Sequence, residues 1–364
     1  MTKAVKQTLE HMRFGAPQQH LNLCVVPIFY DGPAGPVYQT LTEALQNEQV
    51  TVTEISEGGA VPNLKVTNQA DQPLVLVDGE ELVGAKQNRI VNTTMMLEAN
   101  SETTVPVSCT EAGRWRYNSR RFADAGVIMA AKARYKKSER LMHNLRMKAQ
   151  YDAGQAGVWK DIDQLHRKSG SHSRTRAMHD AYLQRAQDME AYMKAFPRQE
   201  GQQGMVVFLN GRPVGADFLS RSSGYAHLHD KLLKSHVIEA VSEKTEKKDA
   251  ADWAIDAHQF LRSLLQATEV TTHQPIGLGT DYRFNAEGTK GAALVYKEAV
   301  IHLSSYASDM VDVDQEDPRR VREEFLRARR RAQQDRRGAH TDASGQKTDS
   351  LGNSWRDFLQ GLFG

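Results

Sequence analysis

Cysteine is nearly absent: the 364 residues contain only Cys24 and Cys109. Two thiols cannot build a disulfide framework or a zinc ribbon. Long hydrophobic runs are missing too. The longest, Leu21–Tyr30, is interrupted by Asn22 and Pro27 and reaches about half of the ~20 residues a spanning helix needs. The first residues, Met1-Thr-Lys-Ala-Val-Lys6, continue into polar sequence without the apolar stretch of a secretory signal. A cytoplasmic location with no transmembrane segment is therefore expected. Compositional bias is also lacking. The chain is 40% hydrophobic and 25% charged, which excludes wholesale disorder and a collagenous repeat. Neither charge sign dominates, and the formal net charge is +2. That small number hides a division. Gly113–Lys148 holds 11 Lys/Arg against 2 Asp/Glu, a net of +9. Pro318–Arg337 holds 9 Arg against 3 Asp/Glu, a net of +6, so the rest of the chain is at −13.

Short Val- and Thr-rich segments with turn residues between them fill the first third: Leu21–Phe29, Val50–Ile55, Leu64–Thr67, Leu74–Val77, Arg89–Leu97 and Thr103–Cys109. Their spacing argues for antiparallel strands. Thr40-Leu-Thr-Glu43 has the form of a capping box opening a helix. From about Ala123 to Phe196 the chain is rich in Ala, Met, Gln, Lys and Arg. Helices are expected over Val127–Tyr151, Val158–His166 and Arg176–Ala195. Strands return at Met205–Leu209 and Val214–Leu219 around Asn210-Gly211, a hairpin signal. Helices over Gly224–Val241 and Ala250–Thr268 and strands from Tyr282 to Leu303 complete the body. The fold class is therefore α+β: a hairpin-rich antiparallel core with a helical insertion over about 123–196. The body covers 1–308. Residues 309–364 read as a mobile tail: an acidic linker, an Arg-rich helix over 318–337, a disordered segment and a terminal amphipathic peptide around Trp355 and Phe358.

The run around Asp78-Gly79 and the run around Asn210-Gly211 echo one another, each followed by Val-Gly-Ala. They are either two ordinary hairpins or an old duplication in which the polar segments after each, Lys86–Arg89 and Asp217–Arg221, would face one site.

Three segments carry candidate chemistry. Asp78-Gly-Glu-Glu-Leu-Val-Gly-Ala-Lys-Gln-Asn-Arg89 packs carboxylates, an amine, amides and a guanidinium into twelve residues. A hairpin there would bring Glu80 or Glu81 near Lys86 and Arg89, a set suited to phosphate binding or acid–base work. The competing reading is a solvated turn with surface ion pairs. Glu111-Ala-Gly-Arg-Trp-Arg116 offers guanidinium forks beside an indole stacking face. Its alternative is a core Trp115 with solvated arginines. Gly277-Leu-Gly-Thr-Asp-Tyr-Arg-Phe284 contains GxG without the strand–GxGxxG–helix context of a dinucleotide fingerprint, and places Asp281 and Arg283 on a loop. His227, His229 and His236 lack the i, i+4 spacing of a metal-binding helix, so no metal ligands are assigned. The sequence names no cofactor.

Ser56-Glu-Gly-Gly59 with Val61-Pro62, the 78–89 run, Val107-Ser-Cys-Thr-Glu-Ala-Gly-Arg-Trp115, Asn210–Gly215 and Gly277–Phe284 together resemble the ARG and rhodanese-phosphatase superfamily-associated protein family of prokaryotes. The resemblance spans about Leu21–Leu303. The family's name records association with ADP-ribosylglycohydrolase and rhodanese-phosphatase proteins, and no reaction. It implies a setting in NAD-derived or ADP-ribose metabolism.

The functional expectation is one polar site for a nucleotide- or ADP-ribose-related ligand. Glu81, Glu111 and Lys86 are its candidate catalytic groups. Glu80, Gln87, Asn88, Arg89, Arg114, Trp115, Asp281 and Arg283 are its candidate ligand-binding groups. The alternative is a non-enzymatic nucleic-acid-binding or scaffold protein using 113–148 and 318–337, with an acidic protein or nucleic acid as partner of the tail.

Overall fold

A computed structural model describes residues 2–56, 62–244 and 253–308. The chain divides into two units, 1–315 and 316–364. The expected acidic linker, Arg-rich helix and terminal peptide all lie outside the described residues.

Helix α1 (Lys3–Glu10) leads into strands β1 (Met12–Phe14), β2 (Gln18–His20) and β3 (Leu23–Tyr30). Strand β4 (Gln39–Thr40), helix α2 (Leu41–Gln46) and strands β5 (Val50–Glu54) and β6 (Asn63–Asn68) follow. Then come β7 (Leu74–Leu76), β8 (Glu80–Gly84), β9 (Arg89–Val91), β10 (Met95–Leu97), β11 (Ser101–Cys109) and β12 (Phe122–Ile128). Helices α3 (Ala131–Lys148), α4 (Gln155–Ser169), α5 (Met178–Gln184) and α6 (Ala186–Ala195) form the helical stretch. It is followed by β13 (Gly204–Leu209), β14 (Arg212–Leu219), α7 (Ser222–Ala240) and α8 (Trp253–Ser263). Strands β15 (Glu269–His273), β16 (Thr280–Ala286), β17 (Thr289–Tyr296) and β18 (Ala299–Ala307) end the described chain.

The fold is α+β. A nine-stranded sheet runs β1-β3-β13-β14-β18-β17-β16-β15, with β2 also on β3. A six-stranded sheet runs β12-β8-β9-β11-β6-β5, and a three-stranded one β10-β7-β4. Among the described residues every strand pairing is antiparallel except β4 with β7. The continuous apolar run of β3 is what a strand covered on both faces requires. Leu23 and Val25 enter a core with α3–α7, while Cys24, Val26 and Ile28 enter a second core with α1 and α8. A third, smaller core sits between the two lesser sheets and α2. No helix among the described residues is long and apolar enough to cross a membrane.

The Thr40 capping box forms as read: Thr40 Oγ1 accepts from the Glu43 amide, and the Glu43 carboxylate accepts from the Thr40 amide. Three local readings change. The helical stretch begins at Ala131, because 122–128 is strand β12, paired with β8 through a bulge in which Gly126 has φ +67°. Ala-rich composition there yields to tertiary pairing. The expected helix over Arg176–Ala195 is two helices, broken at Arg185. The expected strand Arg89–Leu97 is two strands in different sheets, β9 and β10, separated by Asn92-Thr93-Thr94. The echo also resolves. Asn210 and Gly211, with φ of +49° and +76°, close a true β13–β14 hairpin. The turn at Asp78-Gly79 instead passes the chain from one sheet to another.

Candidate functional site

Adjacent residues on a strand point to opposite faces, and this separates Glu80 from Glu81 on β8. Glu80 turns toward α7. There it is 2.6 Å from Lys231 Nζ, which also lies 2.9 Å from Asp124 and donates to Thr42 Oγ1 at 2.8 Å. Burial raises the Glu80 carboxyl and Lys231 opposes it. Lys86 and Arg89 are not among these partners. Glu81 faces α5: its Oε1 accepts from Thr110 Oγ1 at 2.7 Å, and His179 Nδ1 stands 3.3 Å from Oε2. Burial raises Glu81, against the hydrogen bond of His179, and Glu81 in turn raises His179.

The segments 84–89 and 111–116 meet. Gln87 Nε2 donates to the Glu111 carbonyl at 2.7 Å, and the Asn88 amide donates to Glu111 Oε2 at 3.4 Å. Arg114 binds the Glu111 carboxylate at 2.7 Å and donates to Asn88 Oδ1 and to the carbonyls of Gly84, Ala85 and Arg116. Arg89, fully buried, donates to the Gln87 and Asn88 carbonyls and pairs with Glu54 at 3.3 Å. Arg114 thus ties the two loops to each other, while Arg89 ties the 87–89 turn to Glu54 on β5. Lys86 is half-buried, with its Nζ 5.4 Å and 5.2 Å from the rings of Trp115 and Tyr117. Trp115 is half-buried, while Tyr117, Arg116, Arg120 and Arg121 are exposed.

Asp281 and Arg283 lie elsewhere, on β16. Arg283 Nε and Nη2 grip Asp281 Oδ2 at 3.0 Å and 2.8 Å, and Nη2 also donates to Thr93. They share a small polar recess with Asp78, Thr94, His302 and Ser304, with room for about one water at most. Beneath it lies a buried charge network. Helix α3 sends Lys137 to Asp78 and to the Asn92 carbonyl (2.7 Å), and Arg134 to Asp217 by a two-pronged pair at 3.0 Å and 2.8 Å. His302 Nε2 lies 3.1 Å from Asp217 and its Nδ1 2.8 Å from Thr94 Oγ1. Burial pushes the Lys137 amine down to about 8, with Asp78 opposing. Burial alone would raise Asp217, yet Arg134 and the His302 hydrogen bond hold it well below the carboxylate range. Sequence reading missed Thr94, Arg134, Lys137, His179 and His302, and named Asp217 only through the duplication alternative. The one available signal was the break in the apolar pattern at Asn92-Thr93-Thr94.

Cys109 is buried at its strand end, and burial pushes its thiol up to about 11.

These features define an α+β protein of mainly antiparallel sheets, with a loop pair locked by the buried Arg114 and a separate polar recess. The chain belongs to the ARG and Rhodanese-Phosphatase-superfamily-associated Protein domain family, whose model matches residues 11–306. No curated protein and no solved structure matches it significantly.

Proposed function

We propose that this is a cytoplasmic protein that binds or processes a phosphate-bearing, nucleotide-like ligand of the ADP-ribose kind at the 84–89/111–121 edge. The observation that carries this reading is the grouping of the Lys86 ammonium with the Trp115 and Tyr117 rings, beside exposed Arg116, Arg120 and Arg121. Aromatic faces suit a base, and cations suit a diphosphate. The Glu111–Arg114–Asn88 lock supports it by holding both loops in place before a ligand arrives. Glu81 with His179, or Glu111, would do acid–base work if there is turnover. The family name agrees with this ligand class.

The test is a thermal-shift series with ADP-ribose, NAD and simple nucleotides. A ligand selective for the folded state at 100 times its Kd adds about 2.7 kcal/mol. The expected result is an upward shift with one of them, abolished by Trp115→Ala. No shift from any ligand removes the reading.

The exposed arginines beside Tyr117 also favour a second reading, binding of single-stranded nucleic acid or an acidic partner at this edge, assisted by 318–337. Most cations of α3 do not contribute. Arg134 and Lys137 point inward, and Arg140 and Arg146 pair with Asp161 and Glu269. RNA affinity that falls steeply with salt would support this reading, and salt-independent or absent binding would exclude it.

A further inference from the structure

Lys231, Glu80 and Asp124 form a cluster that plays no part in the loop-edge reading. Its members come from three elements, α7, β8 and β12. Lys231 and Glu80 are both buried and lie 151 residues apart in the chain. Every hydrogen of the Lys231 ammonium has an acceptor. Nζ is 2.6 Å from Glu80 Oε1, 2.9 Å from Asp124 Oδ1 and 2.8 Å from Thr42 Oγ1. Thr42 Oγ1 in turn donates to Asp124 Oδ2 at 2.8 Å, and the Gly126 amide donates to Asp124 Oδ1 at 2.9 Å. The other Glu80 oxygen, Oε2, accepts from the Val77 amide at 2.6 Å. The lysine thus touches a carboxyl whose second oxygen already faces an N–H donor, and a further carboxylate stands beside it.

These are the parts of an amide-forming site: a nitrogen nucleophile, a carbonyl carbon, a donor for the oxyanion and a proton carrier. The other buried lysine pair, Lys137 with Asp78, lacks the last of them, since no second carboxylate lies within ion-pair distance of Lys137 among the described residues. Passing one proton from Nζ to Glu80 gives an amine beside a neutral carboxyl. Burial favours that form. It pushes the Glu80 carboxyl up, and it works against the Lys231 ammonium, which Glu80 and Asp124 hold above the ordinary lysine range. A buried ion pair also carries a desolvation cost that a neutral amide does not.

We propose that Lys231 and Glu80 join in an isopeptide bond formed by the folded chain itself, with Asp124 as the proton carrier. The ammonium gives one proton to Glu80 Oε1, and Nζ bonds to Glu80 Cδ. The negative charge gathers on Oε2, against the Val77 amide. Asp124 takes a second proton from Nζ and delivers it to Oε1. The bond from Cδ to Oε1 breaks, water leaves, and Asp124 ends as it began. Asp124 is the most exposed of the three, with its side chain 17% open, and it marks the way out for that water. The product fastens α7 to β8 covalently.

The test is the intact mass of the full chain in denaturant, with a tryptic map. The expected result is a chain one water lighter than its sequence, and a branched peptide joining Lys231 to Glu80. Lys231→Met should show the full mass of its own sequence. Asp124→Asn, which keeps an acceptor for Thr42, should slow the cross-link by about 10²-fold or more, so that most of the chain keeps its full mass at purification. A wild-type chain of full mass overturns the proposal, and needs no variant to fold. So does a lost water that maps to an imide at Asp31-Gly32 or Asp78-Gly79, or one that persists in Lys231→Met. Complete cross-linking of Asp124→Asn overturns the part given to Asp124.

Discussion

Glu239 and His236, one turn apart on α7, are both buried and pull the pH dependence of stability in opposite directions. Burial pushes the Glu239 carboxyl up to about 7, with Lys132 opposing, and pushes the His236 imidazole down to about 4. The folded chain holds the Glu239 proton that the unfolded chain has released above about 4.5. That contribution is full below 4.5 and is lost as pH rises through about 7. His236 is the reverse: its contribution is full above about 6.5 and is lost as pH falls toward 4. Between roughly 4.5 and 6.5 the two slopes cancel. Glu239→Gln keeps an acceptor for the Lys132 amide, which donates to Glu239 at 2.7 Å, and removes one slope. Relative to wild type, the variant should gain about 1.4 kcal/mol per pH unit between 5 and 7. Urea midpoints across that range measure it, and a constant difference would mean that Glu239 is ionised throughout.

At the scale of elements, the segment before β16 is held against β10 by its backbone, beside the packing of Ile276 and Leu278. The Leu278 amide donates to the Met96 carbonyl at 2.7 Å, and Gly277 forms an isolated parallel bridge with Met96. Gly277 has φ +87°, and a Cβ there would collide with that carbonyl. Gly277→Ala should therefore cost at least about 2 kcal/mol, read as a lower denaturation midpoint. A neutral outcome would show that the segment can move off β10. This glycine was visible in the sequence only as half of a GxG. The same limit applies across the site. Thr40–Glu43, the apolar β3 run and the Asn210-Gly211 hairpin were legible because their physics is local. So was the meeting of 86–89 with 111–114, each a dense polar run at a strand end. The Thr94–His302–Asp217 chain was not. Its members come from three distant stretches, and each alone is an ordinary Thr, His or Asp in a β-rich sequence. Arg134 and Lys137 were hidden differently, because the net charge of 113–148 gives no sign of which cations face inward.

Across the whole molecule, α3 is the tie between sheets. Its Lys137 reaches Asp78, on the turn entering the six-stranded sheet, and its Arg134 reaches Asp217 in the nine-stranded sheet. Arg134→Met would leave Asp217 buried without its guanidinium and should cost about 3–5 kcal/mol. Arg120→Ala and Arg121→Ala, outside this network, should stay within about 0.5 kcal/mol of wild type. Equal losses in chemical denaturation would contradict the division between inward and outward charge.

The nine-stranded sheet also joins distant stretches of the body, since β3 has β13 as its inner neighbour, with Leu23 opposite Leu209. During synthesis β3 leaves the ribosome beside β1 and β2 but long before β13 exists. At about 5–20 residues per second the intervening chain takes on the order of ten seconds or more to make. Through that interval a strongly apolar strand, with only β1 and β2 to pair with, waits in an unfinished chain. Handling by chaperones at this stage, rather than the stability of the finished fold, would then set how much of the protein a cell recovers.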